Sequence, residues 1–507
     1  MDTESSLADR VLATAGIMLA TLTYTLDSTI ANIALPHMQG SFSASNDQMV
    51  WVLTSYMVAS AIMTPFSGWL AHRIGHKRLF LISTALFMLA SMAVGAAVTL
   101  PQIVVFRIIQ GIAGAALLPL SQALMLDMWP AKRIPVLMSV WSGVVTAAPI
   151  IGPTLGGYLT DTLSWRWAFY INVPLDIIAF VIVNVMLKRD EGGKQRPLDM
   201  IGFLGICMFS VGTQLMMDRG QIKDWFDSTE IVIEATVAVL GIYIFVVQMF
   251  TSKHPFFPRE LFRDRNFNFA QIMTLLMGST LFATSALLPV MMQQLLGYSA
   301  THAGLVSMPR GYGSMFAFFL APFFIARIGP KATMLIGISI SVGALWLMGH
   351  FDLSMDEKWL EISGFMQGAG SGLAFNPMSV LTFATLEGSA RTDASVIGNM
   401  MRSVSGSIGI SLYANVQISQ TNTVRGHMVS HLTPGDPILG MQMPDLDSTV
   451  TLARLSGEVN RQASMVGYDT AFGYMCIASM LMIPMVLLMR TPRIVDIDPS
   501  MRDTGAH

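Results

Sequence analysis

Cysteine is almost missing from this sequence: Cys207 and Cys476 are the two in 507 residues, and both sit inside apolar runs. That excludes a disulfide framework or a thiolate metal site and leaves both as small packing residues. Charge is scarce too. Asp, Glu, Lys and Arg make up 12% of the chain, where a soluble protein carries about a quarter. With a net charge of -2 and no basic tract, nothing invites a nucleic acid. No lysine stands in the Gly-x-x-x-x-Gly-Lys-Ser/Thr pattern that cradles phosphate, so the chain does not drive itself with ATP. No cluster has metal-ligand spacing and no nucleophile stands by a base, so neither a cofactor nor an enzyme is implied. The opening Met1-Asp2-Thr3-Glu4 is acidic where a cleavable signal peptide is basic, and the first helix is expected to stay as an anchor.

What is present is apolar: 53% of the residues are hydrophobic. Burying that much in water would demand an outsized core, so a bilayer is the natural solvent. Fourteen apolar segments lie near 13–35, 50–71, 79–98, 103–126, 136–158, 167–187, 199–217, 230–250, 268–290, 303–326, 331–350, 359–382, 395–416 and 470–489. Each is close to the ~20 residues a helix needs to cross hydrocarbon. An even number puts both termini on one side. With that side cytoplasmic, about twenty of the 30 basic residues fall in cytoplasmic loops and about seven opposite, the bias that sets orientation in membranes.

The sequence also repeats itself. Arg73-Ile74-Gly75-His76-Lys77 returns about 254 positions later as Arg327-Ile328-Gly329-Pro330-Lys331. Gln110-Gly111 with Gly114 and Pro119 returns as Gln367-Gly368 with Gly370, Gly372 and Pro377. Two related halves around a midplane cavity are how secondary transporters are built. The expected fold is therefore all-α with fourteen membrane helices. An N-terminal six-helix half spans 1–190, an inserted helix pair with its linker 191–262, and a C-terminal six-helix half 263–507. A polar stretch at 417–469 interrupts the last half. It is expected to be an exposed loop with a short hairpin or helix, or a docking surface for a partner.

Ionisable groups at mid-helix cost ~2.5–3.5 kcal/mol on insertion scales, so each is a functional hypothesis. Five stand out: Asp27, Arg107, Asp176, Arg310 and Arg402. Asp27 and Arg107 fall at similar depth in the outer half of their helices. A buried carboxylate can take and release a proton, because burial disfavours its charge and a cation favours it. Arginine keeps its proton and can only bias its neighbour. The pair has the parts of a proton switch, or of a static ion pair. Asp176, after Pro174, is a second protonation site, a neutral acid against a neighbouring helix, or an acceptor for backbone donors freed by the proline. Arg310 is an interface anchor or a substrate contact, and Arg402 a structural or gating residue.

These residues spell a family resemblance. Leu26-Asp27-Ser28-Thr29-Ile30-Ala31-Asn32, Trp51-Val52-Leu53-Thr54-Ser55-Tyr56, the turn from Gly68 to Arg78, Arg107-Ile108-Ile109-Gln110-Gly111, Gly152-Pro153-Thr154-Leu155-Gly156-Gly157 and Asn172-Val173-Pro174 stand in order along the first half. Together they resemble the fourteen-helix drug:proton antiporters of the major facilitator superfamily, and most closely the EmrB-type efflux pumps. The resemblance implies proton-coupled export of hydrophobic or amphipathic toxic compounds across the cytoplasmic membrane. In a Gram-negative cell it implies an EmrA-type periplasmic adaptor and a TolC-type outer-membrane channel. It implies gating by the turn of Gly68, Arg73 and Gly75, and a cavity-sealing bend at Pro153. Gly152 and Gly156 form a small-xxx-small packing face, with Gly157 beside it. The family's loop signature usually has an aspartate where this chain has His72. Arg73 is then expected to pair with Asp127 in a weakened latch.

Substrate-cavity candidates are Asn32, Tyr56, Gln110, Arg310, Gln367, Asn376 and Asn399. Forty methionines suit either a surface that re-packs around varied ligands or plain lipid-facing positions. Competing readings are a facilitator or symporter of a small metabolite, and a non-transporting membrane sensor or scaffold.

Overall fold

A computed structural model describes residues 7–42, 44, 46–130, 133–187, 197–220, 223–386, 388–431 and 449–490. Asn32 and Pro153 are helical, but their side chains lie outside the described residues. The helices are α1 (Leu7–Phe42), α2 (Asn46–Ile74), α3 (His76–Ala96), α4 (Leu100–Gly114), α5 (Leu117–Met128), α6 (Ile134–Thr162), α7 (Trp167–Tyr170), α8 (Asn172–Met186), α9 (Met200–Arg219), α10 (Thr229–Thr251), α11 (Arg259–Arg263), α12 (Arg265–Gln294), α13 (Ala300–Ile328), α14 (Pro330–Met348), α15 (Glu357–Ala384), α16 (Gly388–His431), α17 (Thr449–Met480) and α18 (Met482–Leu488). Among the described residues there is no strand.

Among the described residues, ten helical stretches are long and apolar enough to cross a membrane. The other four expected segments also form helices, α2, α6, α15 and α16. Large apolar side chains point outward around the bundle, among them Phe250, Phe319, Tyr243 and Leu487. Water would penalise such a surface and lipid does not. The near face of the bundle is the one at which α1 begins, and the far face is opposite.

The helices pack around apolar cores that mark out two groups, and a further core through Met125, Met138, Val396 and Met400 runs between them. One apolar core joins α1, α2, α3, α4, α6 and α7 through Ile30, Val52, Val94, Ile103, Ala148 and Phe169. Two others join α12 to α18, through Met291, Leu345 and Phe472 toward the far face and Met273, Ile338 and Val486 toward the near face. Helices α9 and α10 pack on each other, and α9 also touches α2 and α16.

The repeat has a backbone cause. Gly75, before α3, has φ 92 and ψ 148, and its copy Gly329, before α14, has φ 84 and ψ 163. That region is essentially closed to residues with a Cβ. Gly75→Ala is expected to cost about 1–3 kcal/mol, seen as a lower midpoint of thermal unfolding in nanodiscs. A second close approach recurs too. A side chain on Gly111 would strike the Tyr56 carbonyl, and one on Gly368 the Arg310 carbonyl.

The polar stretch at 417–469 departs from the expected loop with a short element. Helix α16 runs unbroken for 44 residues, and α17 begins at Thr449, before the expected span at 470. Residues 432–448 lie outside the described residues. The hydrophobic signal stops at the membrane surface, whereas the helical hydrogen-bond ladder does not.

Candidate functional site

The first group buries a polar cluster in its centre, with Asp27, Arg107, Gln110 and Asn172 each at 0% exposure. Arg107 Nη1 donates to Asp27 Oδ2 at 2.6 Å and to Gln110 Oε1 at 2.8 Å. Its Nε donates to the Val52 carbonyl at 3.1 Å. Gln110 Nε2 donates to Asp27 Oδ1 at 2.8 Å, and Asn172 Nδ2 to the same oxygen at 3.0 Å. Gln110 also donates to Ser91 Oγ at 2.8 Å. The guanidinium lies 4.2 Å from the Tyr56 ring centroid and 5.7 Å from that of Phe169. Five helices thus converge on one carboxylate: α2 and α3 hold its partners in place, and α4 and α8 supply the donors to α1.

The periodicity of α4 explains the placement. Arg107 and Gln110 are three residues apart, so they share one face while the intervening Ile108 and Ile109 are exposed. Sequence reasoning assigns Gln110 and Tyr56 to the substrate cavity. The structure places both on the acid cluster. Asn172 escapes that reasoning, although the Asn172-Val173-Pro174 motif marks the position.

Asp176 is also fully buried, one turn along α8. It accepts from Thr23 Oγ1 at 2.6 Å, and its Oδ2 has no partner. Asp27 thus receives a cation and two amides, and Asp176 a single hydroxyl.

The second group carries the repeat's counterpart without an acid. At the offset that turns Tyr56 into Arg310, Asp27 becomes Leu281. Arg310 Nη2 donates to the Leu281 carbonyl at 2.6 Å. Gln367 donates to Thr284 Oγ1 at 2.9 Å. Beside it a cavity of about 20 Å³, lined by Thr280, Ser341, Ser371 and Ser479, has room for one water.

The two groups meet across polar contacts that cluster toward the near face. His72 Nε2 lies 3.3 Å from Asp393 Oδ1, and His76 Nε2 lies 2.8 Å from Thr392 Oγ1. Ser395 Oγ donates to Gln122 Oε1 at 2.7 Å and to the Pro119 carbonyl at 3.1 Å. Asn376 Nδ2 donates to Ser139 Oγ, while Asn399 Nδ2 turns back within α16 to the Ser395 carbonyl at 2.8 Å. A side chain on Gly68 would press on Val396 and Asp393, so this glycine sets the approach of α2 to α16.

The expected Arg73–Asp127 pair is not formed. Arg73 is exposed, its guanidinium 5.1 Å from the Trp69 ring centroid, and Asp127 is exposed at the end of α5. The anion missing from the loop stands on the other side of the contact instead, as Asp393. Gly152 and Gly156 face α1, where a Cβ would meet Thr29 and Ile30. Gly157 has open space around it and takes no part in that approach.

His72 is the side chain that meets Asp393. Around it stand Asp393, His76 at 6.2 Å between ring centroids, and the exposed Arg73. Lys77 is turned away to the carbonyls of Asn184 and Leu187. At a single pH, Asn399→Cys should react with a near-side maleimide about two- to five-fold faster once His72→Gln has removed the contact with Asp393.

A fully buried acid–arginine pair inside an apolar bundle with an internal repeat defines a membrane transport protein rather than an enzyme. Residues 17–410 match the Major Facilitator Superfamily. The chain is 34% identical over 474 residues to the multidrug export protein EmrB of Haemophilus influenzae, covering 91% of this chain and 92% of that protein. It is 32% identical over 490 residues to the fatty acid resistance protein FarB of Neisseria gonorrhoeae, covering 94% and 96%. Among solved structures, the human organic anion transporter MFSD10 (TETRAN) matches with TM-score 0.59 at 12% identity, covering 93% of this chain and 98% of that one. That likeness shows the fold. The chain belongs to the Major Facilitator Superfamily and is one of its EmrB-type members, a multi-pass membrane transporter.

Proposed function

We propose that this protein is a proton-coupled antiporter that exports hydrophobic or amphipathic toxic compounds across the cytoplasmic membrane. The observation that carries the reading is the Asp27 carboxylate, sealed between Arg107, Gln110 and Asn172. A membrane-buried acid held by a cation on a different helix is costly unless it works. Protonation of Asp27 removes its attraction to Arg107, so the geometry of α1 against α4 depends on whether the proton is bound. Asp176 is a second site on the same path. The division into an N-terminal half at 1–190, an inserted pair at 191–262 and a C-terminal half at 263–507 is part of the proposal. The halves rock about the midplane, and the His72–Asp393 contact closes the near, cytoplasmic face.

The names of the relatives support the substrate class, since EmrB is a multidrug export protein and FarB confers fatty acid resistance. An EmrA-type adaptor and a TolC-type channel complete the proposal. The hairpin of α16 and α17 offers the adaptor a groove lined by His427, Met428, Leu455 and Val459.

Dye counterflow in proteoliposomes driven by a pH gradient tests the reading. Uphill movement that collapses with a protonophore supports it. Movement only down the dye gradient, indifferent to pH, would make the protein a facilitator.

A further inference from the structure

We infer that the interface between the two helix groups contains a subsite for the anionic head of an amphipathic substrate, built around Arg402. This rests on the export reading and narrows its substrate class to monoanions, a carboxylate or sulfonate on an apolar body.

Arg402 is half-buried, and its surroundings are unlike those of the fully buried Arg107. Arg107 has a carboxylate, an amide and a carbonyl for partners. Arg402 has none of these: its Nε is buried without a hydrogen-bond partner, and no carboxylate pairs with it among the described residues. Its guanidinium lies over Trp141 of the first group at 5.1 Å and over Phe375 of the second at 5.5 Å. Aromatic faces steady a cation but supply no hydrogen-bond acceptor in the guanidinium plane. The fork of edge N–H donors, which matches a carboxylate, is left without a protein acceptor.

The surroundings fit a ligand. Asn399, one turn before Arg402 on α16, and Asn376, beside Phe375, each bury an Oδ1 without a partner. Buried polar groups are nearly always satisfied, and these three stand on the helices that carry Arg402 and Phe375. They await a molecule that brings an anion and a hydrogen-bond donor, such as a bound water or a protonated acid. The indole of Trp141 is pinned by its Nε1 bond to Ser121 Oγ at 2.8 Å, so the apolar wall is rigid. Because Trp141 and Phe375 belong to different groups, a head seated on Arg402 touches both, and its binding is coupled to their rocking.

Full-length protein in nanodiscs, with radiolabelled dodecanoate and dodecyltrimethylammonium as probes of matched tail and opposite head, tests the subsite. The ratio of dodecanoate to cation affinity should fall at least about ten-fold in Arg402→Gln and by a smaller factor in Arg402→Lys, which keeps the charge and loses the fork. A ratio in Arg402→Gln within two-fold of wild type overturns the inference. The unaltered protein gives an independent reading. 2-Bromododecanoate, with its bromine next to the carboxylate, should quench the part of the tryptophan fluorescence that Trp141→Phe removes, and equal quenching in both proteins also overturns it. Head-group discrimination without uphill efflux would sink the export reading and leave the subsite standing. Efflux of both probes with no discrimination would do the reverse.

Discussion

Asp27→Asn should reduce proton-driven counterflow to the leak of protein-free liposomes while leaving the protein folded and able to bind drug. Asparagine keeps the shape of aspartate and can still accept from Arg107 with its one oxygen, but it cannot gain or lose a proton. An antiporter whose carrier has one charge state has nothing to exchange, so the loss is complete rather than graded. Drug-stimulated proton release from detergent-solubilised protein should vanish with it. Uphill transport by Asp27→Asn at the wild-type rate would end the coupling scheme. Asp176→Asn is the comparison: a partial loss identifies Asp176 as an auxiliary proton site, and full activity restricts coupling to Asp27.

Arg107→Gln should be the more damaging change to the folded protein. It leaves a buried carboxylate facing two amides and no cation, and breaking a buried pair from one side costs about 3–5 kcal/mol. Arg107 also gives up its bond to the Val52 carbonyl and its stacking on Tyr56. Adding Asp27→Asn to Arg107→Gln should restore most of the stability, because the stranded charge is gone, yet no transport should return. Thermal unfolding in nanodiscs across the four proteins of this cycle measures the coupling. Equal destabilisation in the single and double variants would mean that Arg107 serves packing instead of the acid.

Much of the acid cluster is legible in the residues themselves. The depth of Asp27 and Arg107 along their helices brings them level, and the structure joins them at 2.6 Å. The repeated glycines mark the turns at Gly75 and Gly329, because that backbone conformation excludes a Cβ. Facing direction is harder. Gln110 falls to a cavity on sequence alone, since sequence gives depth but not the rotation of α4 relative to α1. Contacts between the groups are harder still. His72 and Asp393 are 321 positions apart, and only the docked groups show that the acid has moved from the loop to its partner helix. Arg402 reads as a structural or gating cation because its neighbours Trp141 and Phe375 come from other helices. The far end of α16 is hidden by its polarity.

That helix has a mechanical consequence. At ~1.5 Å per residue, its 44 residues reach roughly twice the thickness of a hydrocarbon layer. The part past the expected span at 416 stands beyond the far face as a mast fixed to the second group. If that group tilts by about 10°, a tip roughly 22 Å out swings through about 4 Å. Motion too small to follow at Asp27 is thereby displayed at the end of a pole, where a spin label or a docked partner can sense which way the transporter is open.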